Sequence, residues 1–173
     1  MMELTAQENI SLINTSLRLG INPDTLYAMI DLESGWNPQA KNPNSSAKGL
    51  LQFIDSSAQD LGYQNSQDLI DQNPTIKDQL DRPVFEYLKQ YAPFTDDQSL
   101  LMAVFYPVAR TWPLDKEFPS IVQQKNPGIV TVEDYMNKVL AHADKKPSRL
   151  LMLGVAGLLA FGTALYITLR GKR

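Results

Sequence analysis

The sequence predicts an all-α domain, or nearly so, built of many short helices and followed by one C-terminal transmembrane helix. Three observations carry this. Helix-start signals recur along the chain, each followed by apolar residues at i, i+3, i+4 and i+7. No run alternates over strand length, although "GIVTV" near residue 130 allows a brief β-piece. And "LLMLGVAGLLAFGTALYITL", Leu150 to Leu169, carries no charge. There is no internal repeat and no low-complexity tract.

The elements follow in order. "TAQE", Thr5 to Glu8, is a capping box, and its helix runs to about Gly20 with Ile10, Ile13 and Leu17 expected inside. Asn22-Pro23 starts the next helix, since Asn caps free amides and Pro fits the first helical position. "WNPQAKNPNSSAKG" reads as loop, with its two Asn-Pro pairs and two adjacent serines. A short helix begins near Asp55 or Ser56 and ends at Gly62, with Asp55 expected as its cap, and another begins near Ser66. Asn73-Pro74 opens a longer helix with Ile76, Leu80, Val84, Tyr87, Leu88 and Tyr91 on one face, which Pro83 should kink or split. "TDDQ", Thr95 to Gln98, reads as a second capping box before Leu100, Leu101, Val104 and Phe105. From Thr111 to Pro127 prolines allow only short helical pieces. Thr131 caps a last soluble helix with Val132, Tyr135, Val139 and Leu140 on one face.

These boundaries give a helical domain over 1–144, a basic linker over 145–149, a transmembrane helix over 150–169 and a basic tail over 170–173. About 20 helical residues at roughly 1.5 Å each span roughly the 30 Å of a bilayer core. Arg149 on one side, and Arg170, Lys172 and Arg173 on the other, can reach headgroups, and Tyr166 lies near a boundary where aromatic rings are favoured. The alternative is a buried core helix. Ala156, Ala160 and Ala164 form a seam that would admit a second helix, or are simple filler. Lys145, Lys146 and Arg149 balance the three basic residues after the span, so charge does not set its orientation. The N-terminus lacks the basic segment and apolar core of a signal peptide. The expected localisation is therefore a single-pass membrane protein with a C-terminal anchor.

Composition excludes several functions. There is no cysteine, hence no disulfide framework or thiolate metal site. The one histidine, His142, makes a Ser-His-Asp triad or a His-rich metal site improbable and reads as solvated. No metal or cofactor is expected. Up to Ser148 the chain has 12 basic against 19 acidic residues, a net of −7, while the remaining tail has four basic residues and no acid. An acidic body argues against nucleic acid as a partner, because phosphate binding needs clustered Lys and Arg.

One acid stands out. In "NPDTLYAMIDLESGWNP", Leu26, Met29, Ile30 and Glu33 share a face, while Asp24, Tyr27, Asp31 and Ser34 share the other. Asp31 is expected to point to water. Glu33 continues the apolar stripe, where lost hydration disfavours its charge and raises its pKa. A carboxyl held protonated near neutral pH is what general acid catalysis requires, whereas a capping or pairing role at a fraying helix end requires nothing of the kind.

Three stretches read together: "ESGWNPQA" (Glu33 to Ala40), "AKGLLQF" (Ala47 to Phe53) and "LLMAVFYPVA" (Leu100 to Ala109). The first two resemble the E-S-x-x-x-P-x-A and A-x-G-L-x-Q signatures of the SLT-type lytic transglycosylases, whose fold resembles goose-type lysozyme. The loop between them is one residue longer than usual. The third resembles the family's A-x-Y-N-A-G helix start only loosely, and its "AVFYP" form is closer to versions in phage proteins. The resemblance spans roughly residues 20 to 140. It implies an enzyme that cleaves peptidoglycan glycan strands with Glu33 as the single catalytic acid. That acid would protonate the glycosidic oxygen between N-acetylmuramic acid and N-acetylglucosamine, then take the C6 hydroxyl proton as a 1,6-anhydro ring closes. No second carboxylate is required, unlike in ordinary glycosidases.

The matched positions imply a substrate site of Ser34, Gly49, Leu50, Gln52 and Phe105 or Tyr106. Ser34 would bond to the acid or substrate, or cap the helix. Gly49 would let backbone approach the cleft, or serve a turn, and the amide of Gln52 suits an N-acetyl group. Tyr106, or Phe105 in a register one residue shifted, would wall the sugar site. Trp36 and Trp112 would stack on sugars or pack in the core. The expected partners are glycan strands, a bilayer through Leu150–Leu169 and other virion membrane or capsid proteins. The expected setting is a phage that opens the host wall, with the anchor in a virion internal membrane or in the host inner membrane. A non-catalytic virion protein of the same fold and a water-using muramidase are the rival readings.

Overall fold

The computed structural model describes residues 3–143. The expected membrane helix, linker and basic tail lie outside them. No described helix is long and apolar enough to cross a membrane. The described chain is helical, with isolated β-bridges and no strand. "GIVTV" contributes one such bridge, Thr131 with Glu117.

Helix α1 (Ala6–Leu19) starts at the Thr5/Glu8 capping box and ends at Gly20 in the left-handed conformation, as its signals predict. Its buried face differs from the expected one. Ile10 and Leu17 are 57% and 73% exposed, while Ser11, Leu12, Thr15, Ser16 and Leu19 face inward. Small side chains let α1 lie close to its neighbours, and their hydroxyls find acceptors. Ser16 Oγ donates to Leu12 O at 2.8 Å, and Thr15 Oγ1 donates to Leu80 O at 3.1 Å.

Helix α2 (Pro23–Ser34) is capped by Asn22, whose side chain accepts from Asp24 N–H, and it ends at Gly35. Every residue from Thr25 to Ile30 is buried. Tyr27 therefore lies inside although it falls on the more polar face. A loop follows, in which both Asn-Pro pairs form Asx turns: Asn37 Oδ1 accepts from Gln39 N–H and Asn42 Oδ1 from Asn44 N–H, each at 2.9 Å. Helices α3 (Asp55–Asp60) and α4 (Ser66–Gln72) come next. Asp55 does not cap α3. Its Oδ1 accepts from the N–H and hydroxyl of Ser66, tying α3 to the first turn of α4.

Helix α5 (Ile76–Gln79) starts from a Thr75/Asp78 capping box; Asn73, expected at that start, instead donates to Leu69 O and Tyr63 Oη. It passes through a π-helical turn (Leu80–Val84) into α6 (Phe85–Lys89). Pro83 sits inside that turn, which splits the expected long helix into α5 and α6, as its position predicts. The wider turn absorbs the missing N–H, and Thr15 reaches the Leu80 carbonyl there. Helix α7 (Asp97–Phe105) is capped one residue later than expected, by Asp96 with Ser99. A 3₁₀ turn (Pro107–Ala109), the short α8 (Ser120–Lys125) and α9 (Val132–Ala143) complete the domain. α2 makes its most extensive packing contact with α9.

One buried side chain locks the loop that follows α2. Gln79 is fully buried; its Oε1 accepts from Leu50 N–H at 2.9 Å, and its Nε2 donates to Pro38 O and Asn73 O at 2.7 and 2.9 Å. Gln79 crosses directly beneath Gly49. A Cβ there would lie 2.7 Å from Gln79 Oε1 and 3.1 Å from Ile70 Cγ2, and the φ of +75° also favours glycine. Replacing Gln79 by leucine should strand three buried backbone groups and cost about 3 kcal/mol or more, read as a lower urea midpoint.

Candidate functional site

Glu33 lies in the last turn of α2, where the orphan carbonyls of the helix end disfavour a negative charge. The residue keeps a margin of accessible surface, but its carboxyl is largely enclosed, and this desolvation raises its pKa from 4.5 to about 7. Two groups on α9 oppose the shift without cancelling it: the Tyr135 hydroxyl, which donates to Glu33 Oε1 at 3.3 Å, and the positive charge of Lys138. At 3.3 Å that bond is long for O–H···O, so it holds the carboxylate only weakly. Among the described residues no other carboxylate shifts Glu33.

Tyr135 is buried, and burial together with Glu33 pushes its phenol well above 10, so it remains a neutral donor. Its ring stacks on Phe105, with centroids 4.0 Å apart and planes 16° from parallel. Phe105 meets Phe118 edge-on at 5.2 Å, and Tyr106 meets Phe118 and Trp112 at 5.7 and 5.8 Å. Of the two candidates in the third stretch, Phe105 is thus the one stacked on Glu33's hydrogen-bond partner, and Tyr106 belongs to the neighbouring aromatic cluster. Tyr87 lies near enough to feel the charge of Glu33. It packs edge-on against Phe53 at 5.7 Å, and burial, Tyr91, Asp60 and Glu33 in turn push its phenol pKa up.

The other candidates take varied places. Ser34 Oγ donates to Ile30 O at 3.1 Å, back onto its own helix. Leu50 is fully buried, its N–H held by Gln79, so its side chain serves the core. Gln52 has a φ of +51°, and its Nε2 donates to Gly49 O at 3.1 Å. Trp36 is fully buried against Tyr27, with centroids 4.9 Å apart, which makes it a packing residue; Trp112 is half-buried. Trp36 also has a φ of +64° immediately after left-handed Gly35. A left-handed tryptophan costs on the order of 1–3 kcal/mol, held here by complete burial of the indole. Strained backbone thus flanks the site at both Trp36 and Gln52.

The polar face of α2 also differs from expectation. Asp31 does not point to water, and His142 is not simply solvated: Asp31 Oδ2 lies 2.6 Å from His142 Nδ1, with the side chains 18% and 25% exposed. Tyr135, Lys138 and His142 are spaced by three and four residues, so one stripe of α9 faces the end of α2. Asp55, bonded to Ser66, has its pKa lowered by those bonds and stays a structural carboxylate. Among the described residues no group of acidic and histidine side chains is placed to hold a metal.

Two roles here were accessible only through a buried polar group's need for a partner. Tyr135 falls on the apolar face of its helix, where its hydroxyl requires an acceptor. Gln79 falls among apolar residues with the same requirement.

The Transglycosylase SLT domain family model matches residues 11–81. The matched segment contains Glu33, Gly49, Gln52 and Gln79, and it ends before Phe105 and Tyr135. It supports an SLT-type lytic transglycosylase. No curated protein matches the chain.

Removing the Tyr135 hydroxyl with phenylalanine should raise the Glu33 pKa further above about 7, because that bond lowers it; carbon-detected NMR titration of Glu33 reads the shift. Stability carries the same signature. Because folding raises this pKa, the contribution of Glu33 is fully present below about 4.5 and is lost as pH rises through about 7. Glu33→Gln should therefore gain up to about 3 kcal/mol on wild type between pH 4 and pH 8, measured by denaturation at both values.

Proposed function

We propose that the chain is a peptidoglycan lytic transglycosylase with Glu33 as its one catalytic residue. The carrying observation is an enclosed carboxyl with a pKa of about 7 and, among the described residues, no second carboxylate acting on it, in a segment matching the SLT domain. Near neutral pH such a group populates both forms that the reaction needs. As an acid it gives its proton to the glycosidic oxygen, and the C1–O bond to the next sugar breaks. The N-acetyl group of the muramic acid stabilises the positive charge at C1. Glu33, now a carboxylate, takes the C6 hydroxyl proton while O6 bonds to C1. The products are a free 4-hydroxyl and a 1,6-anhydro end, and no water is consumed.

The surrounding residues take supporting roles in this reading. Tyr135 orients Glu33 while leaving its proton available. Phe105 and Tyr87 keep the site apolar, and the free end of the Gln52 amide is offered to an N-acetyl group. A general acid contributes roughly 10²–10⁴-fold. The remainder must come from binding a distorted sugar beside Glu33.

The setting belongs to the same proposal. The charge-free stretch Leu150–Leu169 would anchor the domain to a bilayer in a phage virion with an internal membrane, and the domain would open the wall as the phage penetrates it. Finding the domain in the periplasm of normally growing bacteria would refute that setting.

Glu33→Gln in the full chain should lower glycan-strand cleavage at least roughly 10²-fold while leaving the helical circular-dichroism spectrum unchanged. For the wild type, cleavage should fall as pH rises through about 7, because the first step needs the protonated form. Mass spectrometry of the digest should show anhydro ends. Reducing ends would identify a water-using muramidase, and no cleavage a non-catalytic protein.

A further inference from the structure

A groove of about 580 Å³ opens between the end of α3 and one face of the π turn and α6, lined by Asp60, Leu61, Arg82, Glu86, Lys89 and Gln90. Its four charged side chains are exposed, of both signs, and weakly committed to one another. Lys89 Nζ is 3.9 Å from Glu86 Oε2, at the outer limit of an ion pair, and exposed pairs of this kind hold weakly. The guanidinium of Arg82 rests 5.5 Å from the ring centroid of Tyr63 and has no hydrogen-bonded acceptor among the described residues. Leu61 supplies a half-buried apolar floor.

The groove is connected to the candidate site through Tyr87. Glu86, Lys89 and Gln90 flank Tyr87 on its own helix, and Tyr87 packs on Phe53, next to Gln52. Asp60 of the groove and Glu33 both act on the Tyr87 phenol.

The ligand must answer two cations and two anions. A neutral sugar uses neither sign fully, and a polyanion would meet Asp60 and Glu86. A short peptide with free carboxylates and an amine satisfies both, its carboxylate on the planar fork of Arg82 and its amine on the acids. Such a peptide hangs from the lactyl group of muramic acid in peptidoglycan. We propose that this groove binds the peptide stem of the strand whose sugar backbone lies at Glu33. This rests on the transglycosylase reading and names a second recognition site within it.

The test uses the full chain on glycan strands with stems intact and on strands stripped by an amidase. Wild type should show kcat/KM about tenfold higher on stem-bearing strands, and Arg82→Glu should remove that advantage while leaving cleavage of stripped strands unchanged. Equal wild-type rates on both substrates, or equal losses on both in the variant, would overturn the proposal. Calorimetry with a synthetic Ala–γGlu–Lys–Ala stem separates the two levels of inference. Saturable binding weakened about tenfold by Arg82→Glu supports the groove even if neither strand is cleaved, an outcome that would refute the transglycosylase reading alone. Cleavage of both strands at equal rates without stem binding refutes the groove alone.

Discussion

The structure depends on the docking of α9 against the last turn of α2. A glutamate at the end of a short helix would ordinarily be hydrated and ionised at neutral pH. Here α9 removes much of that water and substitutes one long hydrogen bond from Tyr135 and one nearby charge, Lys138. Both favour the carboxylate form, yet together they do not offset desolvation. The result is a carboxyl poised between its two forms. The Asp31–His142 contact, near the far end of α9 on the same stripe, adds a polar tie to the packing.

A second constraint shapes the loop facing that helix end. The chain between α2 and α3 has almost no regular structure, so its position relies on tertiary hydrogen bonds. Gln79 supplies three, reaching Pro38 just after α2, Leu50 within the second motif and Asn73 before α5. Because the amide passes under Gly49, that position excludes any side chain. The glycine and the buried glutamine form one device that presents Gln52 in its left-handed conformation. The SLT-matched segment contains the acid and this device, whereas α9, which packs on α2 and supplies Tyr135, lies beyond it.

Local signals were legible wherever they were local in cause. The caps at Thr5, Asn22 and Thr131 need only a side chain and an amide two or three residues on, and each forms where it was read. The register that singles out Glu33 needs only the helical period. Faces were less legible. On α1 the larger apolar residues Ile10 and Leu17 face outward, because close approach to the π turn favours Ser11, Thr15 and Ser16. Pro83 splits the helix as local rules predict, and the π turn, with Thr15 beside it, carries the chain on into α6.

The sequence by itself determined the helical character of residues 3–143, the helix that carries Glu33, and the two motifs that resemble the SLT signatures, because these follow from nearest-neighbour geometry and residue type. Only the tertiary structure decided that Tyr135 meets Glu33, that Phe105 rather than Tyr106 stacks on that tyrosine, that Trp36 is core, and that Asp31 pairs with His142 across 111 positions of chain. Partners so far apart in sequence share no local pattern. What brings them together is the burial of two helix faces against each other, and that is a property of the folded chain alone.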